Sequence, residues 1–197
     1  MLKTLLAATL YTALSLSAIA AQASGASDIE ALRDGSMKKL VVHSAAKDTS
    51  RVPFTLQDGT ELSLSEISDG ISVVNFWATW CAPCRKEMPA LDALAAEFSE
   101  AGLTVIPIAT GHNPLPAIER FFDEAGITTI DYALDAKSQL ARDMGVLGLP
   151  VTLILDAQGR ELARLTGDAD WHSQSARNII SALLANMPVA TAPADKE

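Results

Sequence analysis

Ile71-Ser72-Val73-Val74-Asn75-Phe76-Trp77 runs through Ala78 and Thr79 into Trp80-Cys81-Ala82-Pro83-Cys84, and this stretch decides the fold. The apolar, β-branched run predicts a buried strand. Arg85-Lys86-Glu87-Met88-Pro89-Ala90-Leu91-Asp92-Ala93-Leu94, which follows, predicts a helix with one apolar face. A C-x-x-C motif therefore sits where a strand hands over to a helix. The first helical turn has unpaired N–H groups and a partial positive charge. A sulfur placed there is stabilised as thiolate, the reactive form. Two cysteines three residues apart on such a turn can close a disulfide and reopen it. The arrangement implies a thiol–disulfide exchange centre.

Two other readings compete. C-x-x-C is half of many zinc sites, but tetrahedral zinc takes four ligands. The chain has two cysteines in all, and His43, His112 and His172 show no ligand-like spacing. No metal or other cofactor is expected. A purely structural disulfide would close a very short loop and add little stability.

The chain has 197 residues, 49% of them hydrophobic and 5% aromatic, enough for one core with extensions. Its formal net charge of -9 disfavours nonspecific binding to nucleic acid or anionic lipid. Lys3 precedes an uncharged, Leu- and Ala-rich run, Thr4 to Ala21, and Ala18-Ile19-Ala20 and Ala21-Gln22-Ala23 at its end both fit a small-x-small cleavage site. Residues 1–23 read as a secretory signal, with retention as an N-terminal anchor the alternative. Either places the folded part outside the cytoplasm, in an oxidising, periplasmic compartment. A reductant working there needs electrons from elsewhere.

Residues 24–48 read as a linker holding a short helix near Ile29 and a short extended piece at Lys38–Val42, and 49–187 as the folded domain. Arg51 to Leu64 predicts a hairpin turning at Asp58-Gly59. Further expected elements are the first helix from about Cys81 to Ala101, interrupted by Pro89, and a strand at Leu103–Ala109 carrying Pro107. A helix at Leu115–Ala125, a strand at Ile130–Leu134 and a helix at Ser138–Met144 come next. A hairpin then joins Val151–Leu155 to Arg160–Leu165, and a last helix covers Asp170–Ala185. Residues 188–197 read as a disordered tail. This order calls for a central mixed sheet with helices on both faces.

Three further positions are candidates for the site. Pro150 opens the Val151 strand, a permitted place for any proline. Its functional reading is a cis Leu149–Pro150 bond that offers the Leu149 backbone to an extended peptide. Glu87 lies three residues after Cys84, on one helix face. It is either a solvated helix glutamate or the carboxylate that exchanges a proton with the Cys84 thiol. Trp80 stands beside Cys81, where it packs, limits water access and joins Leu149 and Pro150 as a substrate-binding candidate. Arg85 and Lys86 either lower the Cys81 pKa further or simply point outward.

The stretch Trp77 to Leu91, with Pro150 before a buried strand, resembles the thioredoxin superfamily, and within it the extracytoplasmic TlpA/ResA/CcmG group. The similarity covers roughly residues 37–187. The resemblance implies an α/β thioredoxin fold with an N-terminal hairpin and a central insertion at about Asn113 to Ala136. It implies that Cys81 attacks a target disulfide and Cys84 resolves the mixed disulfide. Pro150 matches the family's cis-proline, and Glu87 matches a glutamate near the cysteines. Asn75 stands where thioredoxin itself has a buried aspartate, as in the extracytoplasmic group. The resemblance also implies a membrane thiol transporter of the DsbD/CcdA type as electron donor. Its clients would be apocytochrome c or a copper-delivery protein for cytochrome oxidase. A dedicated reductase is the expected function; a Cu(I)-binding chaperone or a general disulfide isomerase is the alternative.

Overall fold

The computed structural model describes residues 29–67 and 70–186. The expected leader at 1–23 and tail at 188–197 lie outside them. The described elements are strands β1 (Leu40–Lys47), β2 (Phe54–Leu56), β3 (Glu61–Leu62) and β4 (Ile71–Trp77), then helix α1 (Ala82–Phe98) and strand β5 (Leu103–Thr110). Helix α2 (Leu115–Ala125), β6 (Ala133–Asp135), α3 (Gln139–Asp143), β7 (Val151–Leu155), β8 (Glu161–Thr166) and α4 (Gln174–Ala185) complete the chain.

The strands form one mixed sheet in the order β1-β8-β7-β4-β5-β6-β2-β3. β4 lies inside it, parallel to β5 and antiparallel to β7. Every residue of β4 is buried, as the unbroken apolar run requires when both sheet faces are covered. Val73 and Trp77 pack with Met88, Leu91 and Leu94 of α1, Ile118 of α2 and Ile179 of α4. Val74 and Phe76 point the other way, into a second cluster with Phe54, Leu64, Leu140 and Leu153. The expected architecture, a mixed sheet with helices on both faces, is the one observed.

Several boundaries move for physical reasons. The segment expected to be a linker supplies β1, which pairs antiparallel with β8, and Met37 and Leu40 are fully buried. Its Ser/Ala-rich run has little strand signal of its own, because β1 is an edge strand whose order comes from its partner. The strand expected at Ile130–Leu134 begins at Ala133. The Asp92 carboxylate accepts hydrogen bonds from the Thr128, Thr129 and Ile130 amides and holds them in a turn. Helix α4 starts at Gln174 rather than Asp170, because Ser173 is its N-cap, accepting from the Ala176 amide. Helix α1 continues through Pro89 and gives way to a 3-10 turn at Ser99. Pro107 sits within β5 opposite Asn75, and β6 takes up only Ile108–Thr110 beyond it.

One glycine contact holds β4 in register at its entry. Gly70 has φ +138°, and a Cβ there would run into the Gly102 carbonyl oxygen. That carbonyl accepts from the Ile71 amide at 3.1 Å. Gly70→Ala should therefore cost roughly 3 kcal/mol or more in a denaturant titration. Gly126→Ala, with φ +67° and open space around it, should cost only about 1 kcal/mol, the backbone penalty alone.

Candidate active site

Cys81 and Cys84 form a disulfide across the first turn of α1, with Cα atoms 5.3 Å apart. Cys81 is the N-cap residue, and its sulfur accepts from the Cys84 amide at 3.4 Å. Its amide donates to the Ala78 carbonyl at 3.0 Å, which folds the Ala78–Cys81 turn back on the end of β4. Cys81 is 6% exposed and Cys84 0%. Cys81 thus keeps a small accessible surface and Cys84 none.

The turn that carries Trp80 is held from outside α1. Asn113, in the β5–α2 connection, accepts from the Thr79 amide at 2.8 Å and from its hydroxyl at 3.0 Å. The same side chain donates to the Thr110 carbonyl at 2.9 Å. Trp80 is left 69% exposed. Leu149–Pro150 is a cis peptide. Val151 pairs with Phe76, so Pro150 lies level with Trp77, at the sheet end where Cys81 begins α1. The Pro150 carbonyl accepts from the Gly167 amide at 2.9 Å.

Glu87 is not a solvated helix residue. It is 3% exposed and faces the sheet. Asn75 Nδ2 donates to one carboxylate oxygen at 2.8 Å and to Thr152 Oγ1 at 2.9 Å. The Ala169 amide donates to the other oxygen at 2.9 Å. Burial pushes the Glu87 carboxyl up to about 7, because the charged form is poorly solvated there. The Ala169 amide, Asn75 and the Trp171 indole oppose that rise, and Asp168 adds to it. The indole N–H lies outside hydrogen-bonding geometry. Asn75 Oδ1 is buried without a partner. Turned over, the Asn75 amide would offer that oxygen to a protonated Glu87, so a neutral amide suits both forms of the acid.

The structure brings the expected site residues, the two cysteines, Pro150, Trp80 and Glu87, to one end of the sheet. The sequence reading missed Asn113, Thr152 and the Ala169 amide. Thr152 had one usable signal, since it stands two residues after Pro150 on the strand beside Asn75. A cleft of about 400 Å³ lies at the β1–β8 edge, lined in part by His43, Met144, Glu161 and Arg164. Glu161 is held there by Arg164 at 2.7 Å and His43 at 2.8 Å, an ion cluster separate from the cysteines.

The raised Glu87 pKa has a sign that can be measured. The folded carboxyl binds its proton more tightly than the unfolded one, with a pKa of about 7 against 4.5. Stability from this group is present below pH 4.5 and is lost as pH rises to about 7. In denaturant titrations of the disulfide form, the wild type should lose about 3 kcal/mol relative to Glu87→Gln across that window. A constant difference between the two proteins would contradict the assignment.

Comparison with known proteins agrees with this geometry. A family model described as AhpC/TSA matches residues 42–160. A thiol-disulfide oxidoreductase ResA from Geobacillus kaustophilus is 30% identical over 129 residues, covering 62% of this chain and 73% of the relative. The thiol:disulfide interchange protein HelX from Rhodobacter capsulatus is 36% identical over 104 residues, covering 52% and 56%. Among solved structures, a putative thiol:disulfide interchange protein DsbE from Chlorobium tepidum matches with a TM-score of 0.62 at 23% identity, covering 71% of this chain and 96% of that one. A secreted thiol-disulfide isomerase from Corynebacterium glutamicum matches at 0.62 and 21%, covering 78% and 95%. Those two likenesses establish the fold, on which the reactive pair sits at a helix mouth. The chain belongs to the AhpC/TSA family and is a thiol–disulfide oxidoreductase of the thioredoxin fold.

Proposed function

We propose that the protein is an extracytoplasmic dithiol reductase of client protein disulfides. The observation that carries this reading is the asymmetry of the pair: Cys81 reachable at the N-cap, Cys84 sealed beneath it. In the reduced protein the Cys81 thiolate attacks one sulfur of the client disulfide. A Cys81–client disulfide forms and one client thiolate leaves. Cys84 then attacks Cys81 Sγ, expels the second client thiol and closes the Cys81–Cys84 bond. The client gains two electrons and two protons, and the cysteine pair loses them.

Cys84 must lose its proton to complete the exchange, and Glu87 is the acceptor we assign. It lies three residues along the same helix, and its carboxyl, poised at about 7, can take a proton and give it back near neutrality. Leu149 and Pro150, at the head of β7, and Trp80 form the surface on which the client chain rests, the Leu149 backbone pairing with it as an added strand. Regeneration needs an external dithiol, for which a membrane thiol transporter of the DsbD/CcdA type is suited. Residues 1–23, as a signal or an anchor, put the domain in the periplasm. Apocytochrome c or a copper-delivery protein for cytochrome oxidase is the client class.

The reductant direction follows from the motif. No histidine lies between the cysteines to over-stabilise the thiolate, as a strong oxidant near roughly -120 mV requires. Equilibration with glutathione should give a potential nearer roughly -270 mV than the roughly -180 mV of an isomerase. A value above about -180 mV would overturn the reductase reading. Reduced Cys84→Ser should accumulate a mixed disulfide with a client or model disulfide, through Cys81. Rapid turnover by that variant would exclude Cys84 as the resolving thiol.

A further inference from the structure

A cleft of about 290 Å³ opens beside Trp80, on the flank of the disulfide formed by α2 of the insertion. Ala117, Arg120, Phe121 and Glu124 line it from α2, at the i, i+3, i+4 and i+7 spacing of one helix face. Trp80 and Arg85 line it from the α1 side. The wall is fixed, because Ile118, Phe121 and Phe122 bury the rest of α2 in the core, with Phe121 and Phe122 against Trp77 at ring-centre distances of 5.4 and 5.8 Å. The Trp80 turn opposite is pinned by Asn113.

The charges in the cleft run against those of the chain. The whole protein carries -9, yet here two arginines face one carboxylate. Arg85 lies over the Phe121 ring at 4.8 Å and reaches Glu124 at 3.9 Å. Arg120 makes no ion pair or side-chain hydrogen bond among the described residues, although it is exposed at the mouth. A guanidinium free to take a carboxylate in bidentate fashion thus stands next to an uncovered aromatic ring, adjoining the reactive sulfur. An acidic client would otherwise be repelled by the net charge.

We propose that this cleft is a second client-binding surface, which selects extended segments carrying Asp or Glu beside the reacting cysteine. It lies across Cys81 from the cis-proline side. The proposal rests on the reductase reading and adds to it a determinant of client choice. The acidic side chain pairs with Arg120 at the cleft mouth, and the neighbouring client residue lies on Trp80.

Two synthetic peptides test this, each with one cysteine held as a mixed disulfide with thionitrobenzoate. Asp and Glu flank the cysteine in one peptide, and Lys residues flank it in the other. Attack by Cys81 releases one thiol, resolution by Cys84 releases the other, and thionitrobenzoate reports the rate. Reduced wild-type protein should react about three- to tenfold faster with the acidic peptide at low salt, the preference fading as salt rises. Arg120→Glu should bring the ratio of the two rates to about one or below, and Arg120→Gln to an intermediate value. Arg160→Glu changes charge equally in the β7–β8 turn, at the other end of the sheet, and should keep the wild-type ratio. Because each result is a ratio within one variant, a change in overall activity cancels. Equal rates in the wild type, or a preference that survives Arg120→Glu, would overturn the cleft and leave the reductase reading standing. A wild-type protein inert toward both peptides would overturn both.

Discussion

The hydrogen bond from the Cys84 amide to Cys81 Sγ is the contact on which the chemistry depends. It exists because α1 begins at Ala82 with Cys81 as its cap, and a cap side chain satisfies amides that have no partner inside the helix. Here the capping atom is also the sulfur we propose as the nucleophile. The same amides and the aligned helix dipole favour a negative sulfur. The rest of the fold fixes where that helix starts. β4 is locked between β5 and β7 over its length, and the Ala78–Cys81 turn leaves it directly.

Below the disulfide the structure accepts a cost. A carboxylate away from water is unfavourable unless its oxygens are paired. Glu87 obtains partners from two separate parts of the chain, Asn75 on β4 and the Ala169 amide in the loop after β8. That loop is itself tethered, with Gly167 bound to the Pro150 carbonyl and the Asp170 amide bound to Ser36 Oγ at 3.0 Å. Lys39 donates to the Asp168 carbonyl from the segment just before β1. The N-terminal segment thus braces the loop that supplies a hydrogen bond to the buried acid. The balance leaves the Glu87 pKa at about 7, so that both forms of the acid are within reach near neutral pH.

How much could be read from the chain follows the range of each interaction. The reactive motif, β4, α2 and β7 carry local signals: an apolar run, a C-x-x-C, prolines at a helix start, a β-branched strand. These set the fold and the reacting atoms. The contacts that tune the site join residues with no local signature: Asn113 with Thr79, 34 positions apart, and Ala169 with Glu87, 82 apart. Glu87 shows the limit most clearly. Its i+3 spacing from Cys84 gave it a face, but its burial and its raised pKa depend on β4 and on a loop more than eighty residues downstream. The segment at 24–48 failed to read as part of the domain for the same reason, since β8 makes β1 a strand.

Partial alkylation of the reduced protein tests the central asymmetry most directly. Limiting iodoacetamide, followed by peptide mapping, reports which thiol reacts. We expect Cys81 to carry nearly all of the label, because it alone of the pair keeps any accessible surface and it lies at the positive end of α1. Equal labelling of the two cysteines, or labelling of Cys84 first, would contradict the assignment of Cys81 as the attacking sulfur.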